Sequence, residues 1–150
     1  MCTFLQDTTT RSRCLWWSLF TVPLIRPKAW KNSPASAMHG LDDHDIPFEG
    51  GQSRHRGGDR TYFSVVDSFL FWVENNECIG NPIDSHTSGG AVEIQHWDQC
   101  MNATAAVLIK IDGWGHTWPG PHFTGKLPAN DPLLHFDAAE IIWNFLKRFP

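Results

Sequence analysis

From residue 33 onward, the apolar and polar positions sort into strand-like and helix-like segments. Ser33-Pro-Ala-Ser-Ala-Met38 predicts a short buried strand that ends at His39-Gly40, where a glycine lets the chain turn sharply. In Ser64-Val-Val-Asp-Ser-Phe-Leu-Phe-Trp-Val-Glu-Asn75 the period changes. Val65, Phe69, Trp72 and Val73 recur at helical spacing behind a serine suited to cap the first turn. Ala91-Val-Glu-Ile-Gln-His-Trp97 alternates as a half-buried strand does, whereas Ala105-Ala-Val-Leu-Ile-Lys-Ile111 is a more continuous apolar run, as in a strand covered on both faces. A final helical period covers residues 136–148 and places Ala139, Ile142, Trp143 and Leu146 on one face, with Lys147 and Arg148 at the negative end of the helix dipole. Residues 49–60, rich in glycine and charge, and residues 112–134, rich in Gly, Pro and His, read as loops. The order strand, helix, two strands, helix predicts an α/β fold, in which functional groups gather on loops beyond the strand C-termini.

Composition supports one folded domain. Of 150 residues, 41% are hydrophobic and 19% charged, which fits a globular core rather than a disordered tail or a coiled coil. The net charge is -4 and the twelve Lys and Arg are scattered, so no basic stripe exists to track nucleic-acid phosphates. Eight Trp and ten Phe suit a large core and a binding cleft without naming a ligand. Residues 1–32 read as an atypical leader. Arg11 and Arg13 before Leu15-Trp-Trp-Ser-Leu-Phe-Thr-Val-Pro-Leu-Ile25 imitate a signal peptide, and Ala35-Ser-Ala37 imitates its cleavage site. Arg26, Lys28 and Lys31 break that pattern, and the apolar run is too short to span a bilayer. Of the four cysteines, none forms a Cys-x-x-Cys pair; Cys78 and Cys100 read either as a disulfide of a secreted protein or as two separate core thiols. Asn102-Ala-Thr104 matches the glycosylation sequon, a pattern short enough to arise by chance.

Two loops carry candidate chemistry. Asp43 closes His39-Gly-Leu-Asp-Asp43 after the first strand, and His116 lies in Gly113-Trp-Gly-His-Thr-Trp-Pro-Gly120 after the last. A carboxylate and then a histidine is the order in which α/β-hydrolases supply the last two members of a Ser-Asp-His triad. A serine hydroxyl is too weakly acidic to attack an ester unaided. A neutral imidazole takes its proton, and a carboxylate fixes the tautomer and stabilises the imidazolium. Spacing alone does not separate such a pair from an acidic loop and a surface histidine.

The flanking residues do. From about residue 33 the chain resembles the C-terminal part of the polyhydroxybutyrate depolymerase and feruloyl esterase family of secreted α/β-hydrolases. The family's acid loop, His-Gly-x-x-Asp-x-x-Val-Pro-Tyr-x-Gly-Gly, is matched by His39-Gly-Leu-Asp-Asp43-His-Asp-Ile-Pro-Phe-Glu-Gly-Gly51. Its histidine loop, Gly-Gly-Gly-His-x-Trp-Pro-Gly, is matched by Gly113-Trp-Gly-His116-Thr-Trp-Pro-Gly120. The likeness extends through Phe71-Trp72, Cys78, Cys100, Phe136-Asp-Ala-Ala and Ile142-Trp143. It implies that Asp43, not Asp42 or Asp45, is the acid, that His116 is the base, and that Cys78 and Cys100 form a disulfide. It further implies secretion, a polyester or esterified-polysaccharide substrate, and no cofactor. Ile46 and Phe48 depart conservatively from the family's Val and Tyr, Trp114 replaces a glycine, and residues 1–30 match nothing in it. Trp114 and Trp118 are the candidate substrate-binding side chains. Trp114 either narrows the cleft or packs outward, and Trp118 either stacks on an acyl group or wedges the loop.

The nucleophile elbow, Gly-x-Ser-x-Gly, is missing from the sequence. Gly51-Gln-Ser53-Arg-His55 is the nearest imitation, but it follows the acid instead of preceding it. The glycine-rich loop that would donate backbone N–H groups to an oxyanion is missing too. The expectation is therefore the C-terminal portion of an α/β-hydrolase with an incomplete sheet: a truncated esterase or, alternatively, a non-catalytic fragment that acts only with a partner chain, because a partial sheet leaves an unpaired edge. A metal site drawn from His39, His44, His116 and His122 is a third reading, which no helical His-x-x-x-His or cysteine pair supports. The oligomeric state stays open.

Overall fold

An apolar run with no polar face needs cover on both sides, and the fold provides it. A computed structural model describes residues 33–53, 60–120 and 127–149, together with the backbone of two short antiparallel strands, β1 (Cys2–Thr3) and β2 (Leu15–Trp16). The remaining elements are β3 (Ala35–Gly40), β4 (Gly51–Gln52), β5 (Thr61–Tyr62), α1 (Val65–Asn75), β6 (Ile83–Thr87), β7 (Val92–Trp97), β8 (Ala106–Ile111) and α2 (Ala138–Leu146). Four strands form a mixed sheet in the order β3-β8-β7-β6. β3 runs parallel to β8, with Ala35 opposite Ala106 and Gly40 opposite Ile111, and the β8–β7 and β7–β6 pairs are antiparallel.

Helices cover both faces. On one, Phe69, Trp72 and Val73 of α1 bury against Ala35, Trp97, Ala106 and Leu108. On the other, Ala138 and Phe145 of α2 join Val92, Val107, Ile109 and Ile111. Successive residues of β8 thus feed opposite layers, so a strand with buried residues on both faces needs no alternation. Each helix starts on a side-chain cap. Ser64 Oγ accepts from the Asp67 N–H at 3.0 Å, and Asp137 Oδ1 accepts from the Ala139 and Glu140 N–H groups.

Three features differ from expectation. The predicted face of α2 points away from the core: Trp143 is 65% exposed and Leu146 36%, whereas Ala138 and Phe145 are buried and Ile141 packs beside them. This helix carries apolar residues around most of its circumference, so periodicity alone does not choose the buried stripe. The hairpin strand β6 was not expected, because all five of its residues are exposed and impose no pattern. It turns into β7 through Ser88–Gly90, where Ser88, Gly89 and Gly90 all take positive φ. The expected loop 49–60 contains β4, which pairs with β5 just past its end as a small hairpin. The leader reading falls largely outside the described residues, but Ala35-Ser36-Ala37, which imitates a cleavage site, lies inside β3.

Cys78 and Cys100 are joined in a disulfide that ties the end of α1 to the segment after β7. Beside it the Ile79 N–H donates to the Gln99 carbonyl, and the Met101 N–H to the carbonyl of fully buried Asn76. Among the described residues, no helix is long and apolar enough to cross a membrane.

Candidate functional site

Because β3 and β8 are adjacent and parallel, the loops that follow them leave the same end of the sheet side by side. Main-chain contacts join them. The Leu41 N–H donates to the Ile111 carbonyl at 2.9 Å and the Asp42 N–H to the Trp114 carbonyl at 3.0 Å. Gly40 makes this approach possible, since a Cβ there would lie 2.1 Å from the Trp114 oxygen and 2.6 Å from its carbonyl carbon.

The acid loop then folds around one carboxylate. Asp43 Oδ1 accepts from the N–H groups of Asp45 and Ile46, both at 2.9 Å, and Ile46 is buried beneath the turn. Asp43 Oδ2 lies 2.8 Å from His116 Nδ1. Asp43 is only 3% exposed, whereas Asp42 and His44 on either side face solvent. Of the neighbouring aspartates, Asp43 is the one that meets His116. An ionised carboxylate only accepts, so Nδ1 of a neutral His116 holds the proton and Nε2 keeps its lone pair. That is the tautomer a general base requires. The imidazole is partly exposed, with 36% of its side-chain surface accessible.

The histidine loop is braced from below. Trp114, expected beside a cleft, is buried in the core at 5% exposure and donates from Nε1 to the Thr117 carbonyl at 2.8 Å. It neither narrows a cleft nor packs outward. An indole fills apolar space beneath the loop while its one donor closes the turn that carries His116. The Thr117 N–H donates to the Gly115 carbonyl within the same turn, and the Ala138 N–H to the Pro119 carbonyl, which links the loop to the start of α2. Trp118 is 61% exposed.

His39 also belongs to the site, in a place its sequence motif does not reveal. Its Nδ1 lies 2.8 Å from the Gly40 carbonyl, its Nε2 3.7 Å from Asp43 Oδ2, and its ring meets Phe48 edge-on at 5.9 Å. Burial pushes its proton affinity below the usual histidine value of 6.5, against the opposing pull of the Gly40 carbonyl and Asp43.

The metal reading fares poorly. Asp43, Asp45 and His116 offer ligand atoms within 4.8 Å of one another, but Asp43 Oδ1 already accepts two backbone N–H groups and His116 Nδ1 is committed to Asp43 Oδ2. Of the other histidines considered, His44 is exposed on the acid loop and His122 lies outside the described residues. Ser53 sits in the β4–β5 hairpin, where its N–H donates to the Arg60 carbonyl, and not on a strand-to-helix turn. Compared with family models, curated proteins and solved structures, the chain matches none.

Proposed function

We propose that Asp43 and His116 are the acid and base of a serine-type carboxylic ester hydrolase with α/β-hydrolase architecture, and that its nucleophile comes from polypeptide outside this sequence. The observation that carries the reading is the 2.8 Å contact between Asp43 Oδ2 and His116 Nδ1, on loops that leave adjacent parallel strands. With Oδ1 held by two backbone N–H groups, the carboxylate is fixed in orientation, and His116 is left with Nε2 free to take a serine proton. The substrate class follows from the resemblance: a polyester such as polyhydroxybutyrate, or feruloyl and acetyl esters on polysaccharide. Trp118, exposed two residues beyond His116, supplies a flat apolar surface for such an acyl group. The chemistry requires no cofactor. A disulfide suits the secreted location that the resemblance implies.

A second reading, a non-catalytic chain that needs a partner, draws on the outer edge of β3, which has no paired strand among the described residues. The two readings separate in one experiment. The 150-residue chain is expected to be inert toward p-nitrophenyl acetate and toward fluorophosphonate labelling. Fusion of a Gly-x-Ser-x-Gly strand-turn-helix segment ahead of residue 33 is expected to restore both. In that fusion Asp43→Asn should lower kcat by about four orders of magnitude. Full activity in the fusion after His116→Ala would sink the hydrolase reading, and an inert fusion favours the partner-dependent one.

A further inference from the structure

A buried imidazole with an unpartnered nitrogen beside the acid is not explained by packing alone. His39 is 8% exposed, and its Nε2 has no hydrogen-bond partner among the described residues. The Gly40 carbonyl can only accept, so a neutral His39 carries its proton on Nδ1 and presents a lone pair at Nε2 toward Asp43. At 3.7 Å Nε2 lies beyond hydrogen-bond distance of Oδ2, and without a proton it has nothing to donate to it. His116 is then the one side chain among the described residues that donates to Asp43 Oδ2.

We propose that His39 is a positioning residue for the acid–base pair: neutral, it reserves Asp43 Oδ2 for His116, and protonated at Nε2 it becomes a second donor that competes for the same oxygen. This deepens the hydrolase reading and rests on it for its functional meaning, though not for its geometry. Among the described residues, Asp43 and His116 are the titratable groups that act on His39. Asp43 favours its protonation and His116 opposes it, while Lys110, its register partner on β8, is held 2.8 Å from Glu93. Burial lowers the ring's proton affinity, so protonation, and the competition it brings, sets in at a more acidic pH than for an ordinary histidine. Protonation adds a positive charge beside a buried carboxylate that already accepts from His116, and the shared oxygen then serves two donors.

Long-range proton–nitrogen NMR of the intact chain with labelled histidines reads both rings without any need for activity. The expected result is an Nδ1–H tautomer for His39 at neutral pH, titrating at a more acidic pH than a free imidazole. The His116 Nδ1–H resonance should step at that same midpoint. His39→Phe keeps an aromatic ring against Phe48 and should abolish the step while leaving the resonance itself in place. If that variant does not fold, His39→Gln, neutral and close in length, should abolish it too. A step that survives in a folded variant, an Nε2–H tautomer for His39, or no step in the parent chain would overturn the proposal. Failure of the underlying reading looks different. A His116 Nδ1–H resonance unchanged by Asp43→Asn would show that the acid–base pair itself does not exist.

Discussion

Gly40 and Asp43 show how single residues decide the geometry of this site. A methyl group at residue 40 would collide with the Trp114 main chain, which has no flexible end to move aside. Gly40→Ala should therefore push the two loops apart. The expected outcome is a loss of about 1–3 kcal/mol or more in urea denaturation, together with loss of the His116 Nδ1–H resonance. Asp43 was legible only through the register of the longer motif. Asp42, Asp43 and Asp45 are equivalent in composition, and what distinguishes them is that the turn buries Asp43 alone and aims two N–H groups at it. Trp114 could not be placed from sequence because an indole next to the His116 loop suits a cleft, an outward position and a core equally well until burial is known. His96 carries a prediction of its own. Its ring packs against Phe145 at 6.5 Å, its Nδ1 is buried without a partner among the described residues, and burial lowers its proton affinity from 6.5, with Asp98 opposing the effect and Arg148 adding to it. His39 shifts in the same direction. A histidine with a lowered folded pKa binds fewer protons than it does unfolded, so stability rises with pH through the window below 6.5 and is lost as pH falls through the folded value. Denaturant midpoints should decline with acidification in that window, and His96→Phe should flatten part of the decline.

Among the elements, α1 was readable and α2 only half so. In α1 the predicted residues Phe69, Trp72 and Val73 meet the sheet, although Leu70 and Phe71 between them are apolar and exposed. The sequence of α2 is apolar around most of its circumference; Asp137 caps its first turn, and Ala138 and Phe145 are the residues that face inward. The consequence is measurable. Phe145→Ala should cost roughly 3–5 kcal/mol of stability, whereas Trp143→Ala, on the exposed side, should stay within about 0.5 kcal/mol. Equal losses from both would mean that the exposed stripe is covered in solution. The strand β6 escaped notice because a two-sided exposed edge strand needs no apolar residue in any register, and β8 was recognised because burial from both sides demands apolar residues throughout.

For the whole molecule, two separate devices hold distant parts together. The β3–β8 pairing brings residues 43 and 116 within a hydrogen bond, and the Cys78–Cys100 disulfide fastens the opposite layer, where α1 ends and β7 leaves the sheet. Replacing both cysteines by alanine should lower stability by about 2–4 kcal/mol, read as a shift in the urea midpoint. The Asp43–His116 contact should survive wherever the variant stays folded, because no part of the loop junction depends on the disulfide. The parallel strand pair explains why a carboxylate and an imidazole 73 positions apart meet at all, which no local pattern encodes. The main-chain seam at Gly40 reaches beyond stability. The joint between the loops consists of peptide groups, so the separation of Asp43 and His116 is independent of the exposed side chains at Leu41, Asp42, His44 and Thr117. Those positions form a natural set for combinatorial diversification, in which the surroundings of the pair are rewritten while its spacing is inherited unchanged.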